Sequence, residues 1–279
     1  MNAAKPLKER VTDYIGQSGL QLPMFNPIAL ELHNALKDEK LTTAGFEAVI
    51  TRDPGLSGQV LRMANSSAFA GLTQIGTIKQ AVLRLGMKQV ARLAIAAAQL
   101  SLYRSANTLT GPYMGELWRQ AYACARGAGW IAERIGRPGE ADAAFLAGLL
   151  HDIGKLLILR ALEEIVEKGT SGQTLSRALI DEMIEGLHCE LGYALMKQWN
   201  LPEAYCIVSR DHHVEEPDAG RVLVAIVRVM DQVCAKIGIG AAADPEVVPA
   251  ASPEAQALGL SEVQLAELEI ELEDSMAPA

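Results

Sequence analysis

The stretch Ala147-Gly-Leu-Leu-His151-Asp152-Ile-Gly-Lys155-Leu-Leu-Ile158 sets a histidine, an aspartate and a lysine inside an otherwise apolar run. Such polar side chains are costly to bury unless other polar groups pair with them. The apolar residues on both sides repeat with a helical period, so we expect two helices that meet near the His-Asp pair. The stretch therefore predicts a buried polar site inside a helical protein.

Further polar residues interrupt apolar helices downstream and are candidates for the same site. They are His188, His212, His213 and Asp231. Imidazole and carboxylate groups together suit a divalent metal such as Mn, Fe, Zn or Mg, and a water bound to such a metal can act as a nucleophile. The alternative is a metal-free polar core, in which the same side chains hydrogen-bond one another around trapped water.

The composition favours an all-α fold. Of the 279 residues, 49% are hydrophobic and only 5% aromatic, and alanine and leucine favour helices over sheets. Helix starts are predicted at Asn26-Pro27, Asp53-Pro54 and Thr77, where a capping side chain precedes an apolar period. Helix ends are predicted at Gly86 and Gly186, because glycine is a common C-terminal cap.

We predict three parts in the chain. Residues 1–107 form an N-terminal helical subdomain, residues 108–240 form a second helical subdomain, and residues 241–279 form a linker and an acidic helix. The looser stretch 105–115 contains Gly111-Pro112 and marks the boundary between the first two.

The net charge of −9 resides in the last part, which contains nine Asp or Glu and no Lys or Arg. The body in front of it is neutral overall, so non-specific binding to nucleic acid is not expected. Leu265, Leu268 and Leu272 lie on one side of the acidic helix. The helix either docks by this leucine edge or is a solubilising terminus, and we expect the body to fold without residues 241–279.

The chain shows no sign of membrane insertion or export. It contains no run of about 18 apolar residues, and its N-terminus lacks the apolar stretch of a signal peptide. We therefore expect a cytoplasmic protein without a membrane partner. The four cysteines form no C-x-x-C pair, which favours reduced, buried thiols over a metal or redox site.

The motif LLHDIGK, with His151-Asp152, and Asp231 in IVRVMDQV resemble the HD superfamily of metal-dependent phosphohydrolases. The pattern of that superfamily is His, then His-Asp, then Asp. Its first histidine falls at Gln120 in this chain, and a neutral amide is a weaker metal ligand than imidazole. The resemblance therefore implies a degenerate metal pocket, with Lys155 as a contact for phosphate.

Motifs in the N-terminal half of the chain narrow the resemblance to one family. Leu22-Pro23, Asp53-Pro54, Asn65-Ser66 and the stretch 78–86 are similar to the HDOD domain, a bacterial signalling relative of the HD proteins. The similarity spans about residues 20–237. It implies an N-terminal helical bundle packed on an HD-like helical subdomain. It also implies a signal-output module of a family that generally lacks demonstrated enzymatic activity.

Two functions remain open. The first is a non-catalytic signal-transduction module that acts through signalling proteins or as a homodimer, with no cofactor or with a divalent metal at low occupancy. The second is a metal-dependent phosphohydrolase acting on a nucleotide or cyclic dinucleotide, with His151, Asp152 and Asp231 holding metal and Lys155 holding phosphate. After His213 the chain lacks the Gly-Tyr-Pro loop of the related HD-GYP phosphodiesterases, which disfavours cleavage of cyclic dinucleotides. We expect the first function.

Overall fold

The computed structural model describes residues 7–18, 26–36, 41–69, 71, 73–167, 176–215, 220–240 and 243–276. These residues form fourteen α-helices and four short 3₁₀ helices, with no β-strand among them. The predicted all-α fold is confirmed. The α-helices are α1 (Leu7–Ser18), α2 (Pro27–Ala35), α3 (Thr43–Thr51), α4 (Pro54–Ala64), α5 (Ile78–Leu85), α6 (Met87–Leu100), α7 (Gly111–Arg134), α8 (Ala141–Leu150), α9 (Ile153–Glu167), α10 (Arg177–Gln198), α11 (Glu203–Asp211), α12 (Val222–Lys236), α13 (Pro253–Ala257) and α14 (Glu262–Met276).

The helices of the front half begin at the predicted capping residues. The Asn26 side chain accepts a hydrogen bond from the backbone N–H two residues on, at 2.9 Å. Asp53 accepts one from the N–H three residues on, at 3.0 Å. Thr77 and Gln80 form a reciprocal capping box at the start of α5. Gly86 separates α5 from α6 with a φ of 82°, a conformation that glycine adopts without strain.

The predicted helix end at Gly186 is wrong, because α10 continues through this residue from Arg177 to Gln198. A glycine inside a helix costs only about 1 kcal/mol relative to alanine, and the packing of α10 on α9 outweighs that cost. The two helices approach so closely that a Cβ on Gly154 would lie 1.9 Å from the backbone oxygen of His188. This contact brings His188 next to the His-Asp pair.

Polar contacts join the front helices to the back ones. The Tyr205 hydroxyl of α11 lies 3.0 Å from Nε2 of His33 on α2. Arg160 of α9 donates hydrogen bonds to the carbonyl oxygens of Leu102 and Arg104, at 2.8 and 2.7 Å. These contacts hold α2 and the 3₁₀ turn after α6 against the helices that carry the polar site. None of the helices in the described ranges has the length and apolar character that a membrane crossing needs.

The C-terminal helix α14 docks by its leucine edge. Leu265, Leu268 and Leu272 are at most 2% exposed, and Lys236 of α12 forms an ion pair with Glu269 at 2.8 Å. Residues 243–253 include a 3₁₀ helix with Pro249 buried, so they pack on the body instead of forming an extended linker. We therefore expect removal of α14 to destabilise the body, contrary to the expectation from the sequence.

The leucine edge gives a prediction for stability. Leu268→Ala leaves a cavity where α14 meets α7, and we expect it to lower the free energy of unfolding by about 2–5 kcal/mol. Val263 lies on the same helix and is 68% exposed, so Val263→Ala should change stability by less than about 0.5 kcal/mol. Urea denaturation followed by circular dichroism measures both variants. Equal effects would show that the leucine edge does not stabilise the body.

Candidate metal centre

Four helical segments bring the predicted polar residues together. His151 and Asp152 lie at the junction of α8 and α9, and His188 projects from the middle of α10. His212 and His213 follow the end of α11, and Asp231 lies on α12. Because these segments pack around one point, all six residues form one cluster, which we call the polar cluster.

The polar cluster has two halves, one around His151 and Asp231 and the other around His188 and His212. His151 lies at the centre of the first half and is fully buried. Its Nδ1 donates a hydrogen bond to the carbonyl of Gly148 at 2.7 Å. Its Nε2 lies 3.2 Å from Oδ2 of Asp152 and 3.2 Å from Oδ1 of Asp231. The imidazole therefore joins the two carboxylates.

Several buried atoms of this half lack a hydrogen-bond partner among the described residues. They are Nε2 of His151, Oδ1 of Asp152 and both carboxylate oxygens of Asp231. A buried polar atom left unpaired costs about 1–3 kcal/mol, so a positive charge near these atoms would relieve several such costs at once. One nitrogen and carboxylate oxygens from two residues are also the donor types that divalent metals use in proteins. The residues thus fit a metal at this point.

The same half also balances its charges without a metal. Nζ of Lys155 lies 2.6 Å from Oδ2 of Asp152. Burial on its own would raise the pKa of Asp152, but Lys155 and His151 hold it well below its usual range. Burial would likewise lower the pKa of His151, but Asp152, Cys124 and Asp231 raise it well above its usual value. Two cations therefore face two carboxylates, as expected for a metal-free polar core.

His188 and His212 belong to the other half of the polar cluster. Their Nε2 atoms lie 3.4 Å apart, and both side chains are almost fully buried. Burial lowers the pKa of His188 to about 4, so this imidazole is neutral at pH 7 and can offer a lone pair to a metal. His213 is exposed at the edge of the cluster.

The polar cluster opens on a cavity of about 370 Å³. Lys155, His213 and Asp231 line it, and so does Gln120. The glutamine predicted to replace the first histidine is therefore part of the same cavity wall. Gly240 beside Gln120 has a φ of 107°, a conformation that residues with a side chain rarely adopt, so a larger residue would be strained at this position.

Two residues that follow α12 close one side of the cavity, which the sequence did not predict. Ile239 and Val247 line the cavity together with Arg228. Nε of Arg228 lies 2.5 Å from the buried carboxylate of Glu254 on α13. The sequence did contain an indication that Arg228 belongs to the cavity wall. Arg228 lies on α12 three residues before Asp231, and residues three apart in a helix share one face.

An all-α fold with a buried His/Asp cluster beneath a cavity defines a domain of the HD-related class. The chain belongs to the HDOD domain family, which it matches over residues 22–215. This confirms the resemblance found in the sequence. Arg228, Asp231 and the C-terminal helix lie beyond the matched residues.

Solved structures share this fold over nearly the whole chain. An HDOD domain protein with unknown function from Geobacter sulfurreducens superposes with a TM-score of 0.72 at 23% identity, covering 96% of this chain and 98% of that one. A candidate metal-dependent phosphohydrolase from Shewanella amazonensis SB2B gives 0.66 at 19% identity, covering 96% and 98%. A candidate signal transduction protein from Marinobacter aquaeolei VT8 gives 0.70 at 20% identity, covering 98% and 65%. At these identities the likeness establishes the fold.

A relative in sequence is an uncharacterized protein of Treponema pallidum (strain Nichols). It is 26% identical over 196 residues, which are 69% of this chain and 37% of that protein. The match therefore spans little more than a third of the length of that relative.

The ion pair in the cavity wall gives a second prediction. Glu254→Gln removes the charge that balances Arg228, which is only 16% exposed, and we expect a loss of about 3 kcal/mol in the free energy of unfolding. Glu273 is exposed on α14, so Glu273→Gln serves as the matched control with a change below about 0.5 kcal/mol. Urea denaturation at pH 7 measures both. A Glu254→Gln variant as stable as the control would mean that Arg228 does not need this carboxylate.

Proposed function

We propose that the chain is a non-catalytic signal-transduction module that acts through protein partners. The observation that carries the proposal is Gln120, which lines the cavity beside Lys155 and Asp231. HD phosphohydrolases, by the resemblance, place a metal-binding imidazole at that position. A neutral amide holds a transition metal more weakly, so the metal pocket used for hydrolysis is degenerate.

The charges of the polar cluster support the same proposal. A metal bound between His151 and Asp231 must displace the proton that the raised pKa keeps on His151. It must also compete with Lys155 for the carboxylate of Asp152. Because metal ligands bind in their deprotonated forms, both requirements lower the affinity of this position for metal at pH 7.

The outer side of α14 is a suitable surface for a partner. Val263 and Ile270 are 68% and 60% exposed there. They lie in a part of the chain, residues 241–279, that has nine acidic residues and no basic one. Apolar side chains surrounded by negative charge are complementary to a basic partner surface that carries its own apolar residues.

A second candidate function is a metal-dependent phosphohydrolase acting on a nucleotide. The unpartnered buried atoms of His151, Asp152 and Asp231 favour it. A divalent metal held by these residues would supply Lewis acidity and an activated water. Lys155 faces the same cavity and would pair with a phosphate oxygen. A cyclic dinucleotide is a poorer substrate for this chain, because residues 214–220 do not contain the Gly-Tyr-Pro sequence.

A substitution in the cavity tests the degenerate pocket. We expect Gln120→His to tighten Mn²⁺ binding by about tenfold or more, since an imidazole replaces a weak amide ligand. Gln232 lines the same cavity from α12, so Gln232→His is the control for adding an imidazole elsewhere and should leave Mn²⁺ binding unchanged. Isothermal titration calorimetry measures all three proteins. Equal Mn²⁺ affinities would contradict our explanation of the incomplete site.

A turnover screen decides between the two functions. We expect the wild-type chain to cleave neither phosphomonoesters nor phosphodiesters in the presence of Mn²⁺, Mg²⁺, Fe²⁺ or Zn²⁺. Metal-dependent turnover that is abolished in His151→Ala would overturn the non-catalytic proposal and establish the phosphohydrolase.

A further inference from the structure

We propose that this chain associates with a second copy of itself, through the exposed side of α5 on one copy and the outer side of α14 on the other. The α5 patch consists of Lys79, Leu83 and Arg84, and the α14 face is the side that carries Val263 and Ile270. This association rests on the proposed function only in its use of the outer side of α14 as a partner surface, and it names the partner. The α14 face lies beyond residues 22–215, which match the HDOD family.

Charge is distributed very unevenly along the chain, and the two surfaces lie in parts of opposite sign. Residues 54–115 contain no Asp or Glu, and their basic residues are Arg62, Lys79, Arg84, Lys88, Arg92 and Arg104. Residues 241–279 contain nine acidic residues and no basic one. Opposite charges steer two surfaces together and favour one orientation of their contact. One chain thus carries both a basic surface and its acidic complement.

The α5 patch combines an exposed apolar side chain with positive charge. Leu83 is 76% exposed, more than any other large hydrophobic residue among those that the structure describes. Lys79 lies one helical turn before it and is exposed on the same side. Arg84 donates hydrogen bonds to the carbonyl and the hydroxyl of Thr73, and neither of these groups balances its charge. Leu83 and Arg84 also line a groove of about 520 Å³, which is large enough for an apolar side chain of a partner.

The α14 face offers the matching arrangement. Val263 and Ile270 are 68% and 60% exposed, and residues seven apart lie on the same side of a helix. Glu273 and Asp274 follow Ile270 by three and four residues and are exposed beside it. Two apolar side chains beside two carboxylates therefore complement the exposed leucine beside the lysine and the arginine of the α5 patch.

The α14 face is turned away from its own body. The inner side of α14 is fixed by the buried leucine edge and by ion pairs such as that between Glu271 and Arg126, at 3.1 Å. The outer side consequently faces solvent, and so does the α5 patch. Two surfaces that both face solvent meet only when they belong to different copies.

The contact is heterologous, because it joins two different surfaces. Two copies exchange both contacts around a two-fold axis, or further copies add head to tail. In both arrangements, each contact needs an intact α5 patch on one copy and an intact α14 face on the other. The exposed sides of two helices bury less area than a standard interface does, so we expect a dissociation constant in the micromolar range.

Complementation between two variants tests this pairing. Leu83→Glu places a negative charge in the α5 patch, and Ile270→Lys places a positive charge in the α14 face. We measure sedimentation velocity at about 100 μM protein, where micromolar contacts are populated. The wild-type chain should associate, and the dissociation constant of each variant alone should rise by about tenfold or more. A one-to-one mixture of the variants should associate again, because it retains one intact patch and one intact face.

Val166 provides the matched control, because it is a 39% exposed apolar residue on α9, outside both surfaces. Val166→Glu should associate like the wild-type chain. Circular dichroism checks that all variants fold. If one of the first two variants does not fold, Lys79→Glu repeats the test for the α5 patch and Val263→Lys repeats it for the α14 face.

The contrary outcomes are distinct. A wild-type chain that stays monomeric would show that a second copy is not the partner of these surfaces. Loss of association in only one of the two variants, or a mixture that stays monomeric, would show that the α5 patch does not pair with the α14 face. A monomeric chain that shifts a DNA duplex in a gel, with the shift lost in Lys79→Glu, would assign the α5 patch to nucleic acid.

Failure of the association and failure of the proposed function give different results. A monomeric chain without turnover in the phosphate screen would overturn the self-association alone. An associating chain with metal-dependent turnover would overturn the non-catalytic function alone.

Discussion

The rest of the structure depends on the contacts of one buried carboxylate, that of Asp152. A buried charge is tolerated only when other groups compensate it closely, and here its two oxygens face different partners. Oδ2 meets Lys155 and His151, whereas Oδ1 lies between the imidazoles of His188 and His212. The junction of α8 and α9 must therefore lie within a few ångströms of both α10 and α11. The division between the two oxygens also separates the half of the polar cluster around His151 and Asp231 from the half around His188 and His212.

Small residues make that spacing attainable. A Cβ on Gly154 would clash with the backbone of α10, and a Cβ on Gly192 would lie 2.4 Å from Oγ of Ser209 on α11. That hydroxyl donates a hydrogen bond to the carbonyl of His151 at 2.8 Å, so one side chain holds the end of α8 against α11. The HDOD fold thus brings polar groups from distant parts of the sequence into contact by removing side-chain volume where its helices cross.

Local signals in the sequence predicted much of the fold and of the polar cluster. The caps at Asn26 and Asp53 act within a few residues, so a single sequence reveals them. The break predicted at Gly186 failed because tertiary packing overrode a weak local preference. The docking of the leucine edge depended on whether the body offers a complementary surface, which no local pattern encodes. The pairing of Arg228 with Glu254 was not predicted, because it joins two helices whose paired residues are 26 positions apart in the sequence.

Anomalous diffraction at the manganese absorption edge, from crystals grown with Mn²⁺, tests most directly whether the buried carboxylates are balanced by protons and Lys155 or by a metal. The account predicts no peak between His151 and Asp231, where protons and Lys155 balance the carboxylates. A peak between His151 and Asp231 would contradict the account and favour a catalytic metal centre.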